Sequence, residues 1–330
     1  GQGSCGKVKL AFSLDRNISV AIKIARRGNG QRASAELPLA RAGGTSVDGS
    51  PNMSPVNLHR NVPAVDQKET ALRREIAIMK KLRHKNIVAL YEVIDDPAAA
   101  KLYLVMQYVD RGCVATVRGD GTCARLALGE VLSLARQVAA GLGYLHQRGV
   151  VHRDIKPENI LASSEGRYFL SDFGVSDLED VSMLSSEHLS AFAGATSKRA
   201  GTRQFLAPEQ FAASPLVKRG IKPRRSASIT PAIDVWALGV TLLALLTGRL
   251  PSFASELLLI NGDEEEATAA IQSDVTQAEA VALDSVASSS SDTGPVRAIV
   301  VELLQLVRKM LAWSPGARPS SDVIRGAVKA

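Results

Sequence analysis

Residues 152–159 read His-Arg-Asp-Ile-Lys-Pro-Glu-Asn and place a carboxylate, an ammonium and a carboxamide within one short segment. Asp154 can accept the proton of an attacking hydroxyl, and Lys156 can neutralise charge on a phosphoryl group in transfer. Asn159 can hold a divalent metal through its amide oxygen. A pattern this short also fits a polar surface turn between a helix and a strand. The parts that the remaining chain supplies, and their order, decide between the two interpretations.

A second metal ligand is predicted further along the chain. Residues 168–174 read Tyr-Phe-Leu-Ser-Asp-Phe-Gly, in which Asp172 comes after a short apolar strand and Gly174 supplies the turn. A carboxylate in this position can chelate the metal that bridges nucleotide phosphates. The segment that follows is rich in Ser and Thr, contains Thr202, and ends with Ala-Pro-Glu at 207–209.

Glycines dominate the start of the chain, where Gly1, Gly3 and Gly6 form a G-x-G-x-x-G-x-V pattern. In a dinucleotide-binding fold these glycines would lead into a helix. Here they lead into residues 8–12, which alternate with period two and predict a strand. A strand–turn–strand flap of this kind can lie over phosphates and offer its backbone N–H groups. An ordinary hairpin turn is the alternative.

A lysine interrupts the apolar strand predicted at 18–25, in the sequence Val-Ala-Ile-Lys at 20–23. A buried lysine needs an anionic partner, because an uncompensated buried charge is costly. Glu75 is the natural partner, since it lies beside the apolar stripe of a helix predicted at 68–82. The alternative is that Glu75 is one of many solvated helix charges.

Two further strands are predicted at 86–94 and 101–109, joined by a turn at 95–97. The second strand runs into a glycine turn at 110–112, where the backbone of a hinge could pair with an adenine edge. A helix is predicted at 129–148, because its apolar residues recur at helical spacing.

Composition limits the class of protein. The chain has 330 residues, of which 45% are hydrophobic, so it can bury a core. Its net charge is +7, yet aromatic residues make up only 4% and no nucleic-acid motif is present, so no nucleic-acid partner is predicted. The apolar stretch at 235–247 is too short to span a bilayer and predicts a buried helix. The 3 cysteines show no metal-ligand spacing, which favours a reducing compartment: the cytoplasm, or alternatively the nucleus.

Two segments interrupt the pattern and are interpreted as insertions. Residues 26–66 hold several prolines and no helical or strand period, which predicts disorder. Residues 255–295 contain an acidic run and a serine run, and they predict part helix and part flexible insertion.

Taken in order, the glycine flap, the strand lysine, the helical glutamate, the hinge, His-Arg-Asp, Asp-Phe-Gly and Ala-Pro-Glu resemble the eukaryotic protein kinase family. Asp-x-Trp at 234–236 and the late Arg318 extend the match across essentially the whole chain apart from the insertions. The resemblance implies an α+β, bilobal fold. A β-rich N-lobe would span about 1–106 and a mostly helical C-lobe about 107–330, with ATP between them.

The resemblance also assigns site residues by position. Met106 takes the gatekeeper position, and Asn159 and Asp172 would hold magnesium, or manganese in its place. The residues expected at ATP are Gly1, Gly3, Gly6, Val8, Ala21, Lys23, Met106, Gln107, Val109 and Leu161. The residues expected in catalysis are Asp154, Lys156, Lys23, Glu75 and Thr202.

Three further roles follow from the same resemblance. Arg153 would face a phosphorylated residue of the activation loop. Glu209 and Arg318 would form a buried ion pair that braces the C-lobe. The candidate phosphorylation sites in the loop are Ser185, Ser186, Thr196 and Ser197.

Lys156 and Thr202 are typical of the serine/threonine class, so a protein substrate is expected. A narrower resemblance, carried by residues 74–82, 92–97 and 172–176, is to the calcium/calmodulin-dependent protein kinase kinases. It implies a kinase that acts on another kinase's activation loop. Calmodulin is then a candidate partner, although its binding segment would lie beyond the C-lobe and outside this chain.

The alternative function is a pseudokinase scaffold that binds ATP or partner proteins without turnover. Such a scaffold would be expected to lack at least one of Lys23, Asp154, Asn159 and Asp172. All four are present.

Overall fold

A computed structural model describes residues 2–3, 6–26, 67–96, 99, 101–174, 176–178, 202–211, 230–255, 264–287 and 294–328. The strands are β1 Gln2–Gly3, β2 Gly6–Ser13, β3 Ile18–Arg26, β4 Leu90–Ile94, β5 Lys101–Gln107, β6 Val150–Val151, β7 Ile160–Ala162, β8 Tyr168–Leu170 and β9 Asp177–Leu178. The helices are α1 Gln67–Lys81, α2 Leu128–His146, α3 Pro208–Phe211, α4 Ala232–Thr247, α5 Ser252–Ser255, α6 Glu264–Ala287, α7 Gly294–Met310 and α8 Ser321–Ala327.

The N-terminal part is an antiparallel sheet of five strands in the order β1-β2-β3-β5-β4. Val8 is the register partner of Lys23, and Ala21 is the register partner of Met106. Register partners share a face, and residues two apart on a strand do as well. All four side chains therefore project from one face of the sheet.

The strand predicted at 86–94 is shorter than the sequence suggests. β4 begins at Leu90, because the residues before it bond to the C-terminal part of the chain instead. Val88 donates to the carbonyl of Leu170 over 2.9 Å, and the amide of Leu170 donates to the carbonyl of Asn86 over 2.9 Å. Residues 86–88 therefore connect the sheet region to the helical region through backbone hydrogen bonds.

The C-terminal part is mostly helical, which confirms the predicted α+β, bilobal fold class. Its central helix is α4, in which every residue from Ile233 to Leu246 is buried. The helix is apolar on all sides, as expected for one enclosed by other helices. It ends at Gly248, whose φ of 79° only glycine adopts without strain. Among the described helices, none combines the length and apolarity that crossing a membrane requires.

The predicted insertions have different outcomes. Residues 264–287 form one helix, α6, whose Asp274 accepts hydrogen bonds from Ser252 and from the amide of Phe253. The predicted helical part of the second insertion is therefore present, while its serine run lies outside the described residues. Apart from Arg26, the first insertion also lies outside them. The lobe boundary near 106 stays a prediction.

Candidate active site

The site is built around Asp154, which lies in the loop between β6 and β7. Its Oδ1 accepts hydrogen bonds from the amide and the hydroxyl of Thr202, both over 2.9 Å. Its Oδ2 lies 2.9 Å from the ammonium of Lys156 and 2.8 Å from the amide nitrogen of Asn159. Lys156 also donates to the Thr202 hydroxyl over 2.6 Å. Four donor groups from three residues, of which Thr202 is 48 positions away, thus converge on one carboxylate.

The charge of Asp154 follows from these contacts. Burial by itself raises the pKa of the carboxyl, but the hydrogen bond and charge of Lys156 and the bonds from Thr202 outweigh it. The pKa therefore lies below its usual range. Asp154 is a carboxylate at neutral pH, which a group that accepts a proton must be.

The backbone of this loop is fixed by a buried carboxylate from the Asp-x-Trp motif, whose contacts the sequence did not indicate. Asp234, in the first turn of α4, accepts from the amides of His152 and Arg153, each over 2.8 Å. His146 contacts the same carboxylate over 2.9 Å. Arg153 adopts a left-handed φ of 71°, a conformation that costs about 1–3 kcal/mol and persists only where contacts enforce it. The Asp-x-Trp motif at 234–236 was the sequence signal that could have pointed to this role of Asp234.

A second set of bonds joins this loop to the segment around Asp172. His152 bonds through Nε2 to the carbonyl of Ser171 over 3.0 Å, and the amide of Ser171 donates to the carbonyl of Asn159 over 2.9 Å. The hydroxyl of Ser176 donates back to the carbonyl of His152. Asp172 itself has a left-handed φ of 60°. These contacts fix where its carboxylate lies.

Lys23 connects the sheet to this segment. Its ammonium lies 2.6 Å from Glu75 of α1 and 3.1 Å from Asp172. Burial by itself lowers the pKa of Lys23, but the two carboxylates outweigh it and raise the pKa. Burial also raises the pKa of Glu75, and the Lys23 ammonium opposes that effect. The Lys23 ammonium therefore lies between two carboxyl groups, one from each part of the chain.

The chemistry of these groups fits a nucleotide with its metal. Asp172 and Asn159 offer oxygen donors of the kind that magnesium prefers. Both hydrogen bonds shown for the Asn159 side chain are donated by its nitrogen, to the carbonyl and the carboxylate of Asp154, which directs the amide oxygen elsewhere. Lys23, next to Asp172, can contact phosphate oxygens.

Apolar residues lie where a nucleotide base is expected. Val109 belongs to a small buried cluster that is separate from the main core, and Met106 and Leu161 pack against it. Val8 and Ala21 are half-buried on the same sheet face as Lys23. Met106 therefore links this cluster to the sheet face that carries Val8, Ala21 and Lys23.

The expected hinge has the backbone geometry of a turn. Gln107 ends β5 and donates its amide to the carbonyl of Ala89 over 2.8 Å. The carbonyl of Val109 accepts from the amide of Gly112, whose φ is 70°. Gly3 of β1 and Gly6 of β2 are register partners. Gly1 and the candidate phosphorylation sites lie outside the described residues.

The predicted pair of Glu209 and Arg318 is bidentate. The two guanidinium nitrogens donate to the two carboxylate oxygens over 2.6 and 2.8 Å. The same guanidinium donates to the backbone carbonyls of Ala312, Ala232 and Trp313. It fastens α3, which follows Thr202, to the helical core.

Comparison with known proteins identifies the family. The model of the protein kinase domain matches residues 58–328. Serine/threonine-protein kinase ssp1 of Schizosaccharomyces pombe is 38% identical over 255 residues, covering 77% of this chain and 33% of that protein. SNF1-activating kinase 1 of Saccharomyces cerevisiae is 37% identical over 268 residues, covering 77% of this chain and 21% of that protein.

A third relative carries the name that the narrower resemblance pointed to. The calcium/calmodulin-dependent protein kinase kinase of Caenorhabditis elegans is 34% identical over 253 residues, covering 76% of this chain and 40% of that protein. The chain thus spans between about a fifth and two fifths of the length of these three relatives. With a family match over most of its length, the chain belongs to the eukaryotic protein kinase family, in the serine/threonine class.

Proposed function

We propose that this protein is an ATP-dependent serine/threonine kinase that transfers the γ-phosphoryl group to a protein hydroxyl. The observation that carries the proposal is the triangle formed by Asp154, Lys156 and Thr202. A carboxylate of lowered pKa, an ammonium and a hydroxyl lie within 2.6–2.9 Å of one another. The arrangement suits the activation of an alcohol beside a phosphoryl group.

Each residue of the triangle has a distinct part in the proposed reaction. Asp154 orients the acceptor hydroxyl and takes its proton. Lys156 offsets the negative charge that develops on the phosphoryl oxygens. Thr202, which donates to Asp154, fixes the carboxylate so that one oxygen faces the acceptor.

The groups on the nucleotide side complete the site. Lys23, oriented by Glu75, contacts phosphate oxygens. Asp172 and Asn159 hold magnesium, or manganese in its place, and the metal supplies charge neutralisation at the phosphates when it is bound. Val8, Ala21, Met106 and Leu161 enclose the base, and the backbone of 107–109 pairs with its edge.

We further propose that the acceptor lies in the activation loop of another kinase. Two relatives support this: one is named as an SNF1-activating kinase and another as a protein kinase kinase. The experiment is a radiolabelled-ATP assay of the purified protein against a panel of activation-loop peptides from kinases. A matched panel in which the acceptor Ser or Thr is replaced by Ala provides the control.

The same assay distinguishes an active kinase from a pseudokinase scaffold. Asp154→Asn removes the carboxylate but keeps the side chain's size, so it should lower turnover by about three orders of magnitude or more while ATP binding persists. Equal phosphate transfer by the wild type and the variant would refute the assignment of Asp154. Binding of ATP without transfer to any peptide by the wild type would favour the scaffold.

Calmodulin binding and location stay predictions. Adding calcium-loaded calmodulin to the peptide assay tests the first, because a regulated kinase would change its rate. The cytoplasm, or alternatively the nucleus, is the proposed compartment, and fluorescence microscopy of the tagged full-length protein tests it.

A further inference from the structure

Five basic residues cluster near Tyr144 and His84, and none of them belongs to the site described above. They come from three parts of the chain that are distant in sequence: the loop after α1, the turn after α2, and α8. We call them the Tyr144 patch: Arg83, His84, Lys85, Arg148 and Arg325. Its arginines and lysine are exposed, whereas Tyr144 and His84 are half-buried.

Tyr144 holds two of the arginines in place. The guanidinium of Arg148 lies 3.7 Å from the centre of the tyrosine ring, and its Nη1 donates to the Tyr144 carbonyl over 3.3 Å. The amide of Arg83 donates to the tyrosine hydroxyl over 2.9 Å, and its Nη1 donates to the carbonyl of Leu82 over 2.8 Å. Each guanidinium is thus anchored through one nitrogen, which leaves Nε and Nη2 as a fork for an anion.

Three cations of the patch act electrostatically on the His84 ring. His84 lies 5.0 Å from the Tyr144 ring, and its pKa is lowered by burial first and then by the charges of Lys85, Arg148 and Arg325. Among the described residues, the ion pair shown for these cations joins Arg325 to Asp322 over 3.3 Å. Positive charge therefore exceeds negative charge at this surface.

We propose that the Tyr144 patch docks an acidic, Asp- and Glu-rich segment of a partner protein, with Arg83 and Arg148 as the carboxylate-binding forks. Its cations are spread over three parts of the chain, so several spaced carboxylates match it better than one compact phosphate. The net charge of +7 favours an acidic partner. The surface is separate from phosphoryl transfer, so the proposal stands independently of the proposed function.

Two other classes of partner match the patch less well. Binding of single-stranded nucleic acid relies on open aromatic faces for stacking, and the Arg148 guanidinium covers a face of Tyr144. A surface that docks to a membrane needs a broad exposed apolar face in addition to basic residues. Here Leu82 is buried and Tyr144 is half-buried.

The test is direct binding of a fluorescein-labelled peptide of alternating Glu and Gly, followed by fluorescence anisotropy. The double variant Arg83→Glu/Arg148→Glu should weaken binding by about tenfold or more, because two attractions become repulsions. A second variant, Lys85→Glu/Arg325→Glu, should give a similar loss. Neither Lys85 nor Arg325 bonds to Tyr144, so this variant also covers the case in which the first one fails to fold.

The control is Arg308→Glu/Lys309→Glu, which makes the same change in net charge on α7. This helix packs mainly against α4 and α6, and both residues are exposed. The control should stay within about twofold of the wild type, because exposed charges outside the patch are screened by salt. An equal loss in the control would overturn the location, and no binding of the peptide by the wild type would overturn the proposal.

Two further comparisons test the chemistry. Arg83→Lys/Arg148→Lys keeps the charge but removes the forks, so it should weaken binding by about threefold; unchanged affinity would overturn the role given to the forks. Binding of two other ligands to the same variants is also measured. One is a vesicle that contains phosphatidylserine, and the other is single-stranded RNA. Tighter binding of either one, with the same sensitivity to the Arg83→Glu/Arg148→Glu change, would overturn an acidic peptide as the occupant.

Discussion

Replacing Arg318 by lysine should destabilise the C-terminal region strongly, although the charge is kept. The arginine side chain is fully buried, and its five hydrogen bonds go to both oxygens of Glu209 and to three backbone carbonyls. A lysine has three donors and no fork, so at least two acceptors lose their partner. Each lost bond of this kind costs about 1–2 kcal/mol, which gives about 2–4 kcal/mol for Arg318→Lys.

The chain contains its own probes for this measurement. Its 2 tryptophans are Trp236, whose ring lies 5.0 Å from the Arg318 guanidinium, and Trp313, whose carbonyl accepts from it. Urea unfolding followed by tryptophan fluorescence therefore reports on the region that the substitution changes. A free energy of unfolding within about 0.5 kcal/mol of the wild type would refute the reasoning, since that is the range of ordinary surface substitutions.

A double-mutant cycle separates the ion pair from the backbone contacts. Arg318→Met leaves the Glu209 carboxylate without its partner and should cost about 3–5 kcal/mol. Adding Glu209→Met removes the unpaired charge, so the double variant should be more stable than Arg318→Met alone. The opposite order would mean that the two side chains do not act as a pair.

Three other predictions concern the site and the core. Lys23→Met should abolish phosphate transfer while the far-UV circular dichroism stays native, because Glu75, whose pKa burial raises, can take up a proton when its partner is lost. Lys156→Met removes a group that lowers the pKa of Asp154. Activity needs the carboxylate, so the acid limb of kcat/KM against pH should move to higher pH, and an unmoved limb would contradict the role given to Lys156. Gly248→Ala should cost about 1–2 kcal/mol in urea unfolding, since φ is 79° and the new methyl group would lie 2.6 Å from a side-chain carbon.

Much of the fold could be predicted from local pattern. Helical spacing of apolar residues located α1 and α2 to within two residues, because a helix that packs on a core must repeat its apolar face. The start of β4 was predicted too early. Residues 86–88 have strand-like composition, but they bond to Leu170, a contact that depends on how distant parts of the chain meet.

The candidate site was likewise predictable in part from the sequence. The order of its motifs identified which residue types take part, since Asp154, Lys156 and Asn159 lie within six positions of one another. What holds them was not predictable from that spacing. Asp234, which accepts from the amides of His152 and Arg153, is 82 and 81 positions away from them and looks in the sequence like the start of a helix.

The sequence by itself determined the residues of 152–159, the chemistry they can perform and the family they resemble, because these properties reside in side-chain type and order. The tertiary structure decided that Asp154 is flanked by Lys156 and Thr202, and that Lys23 lies between Glu75 and Asp172. It also decided that five basic residues from three parts of the chain cluster near Tyr144 and His84. Distances and pKa values depend on neighbours brought together by folding, and local sequence does not specify those neighbours.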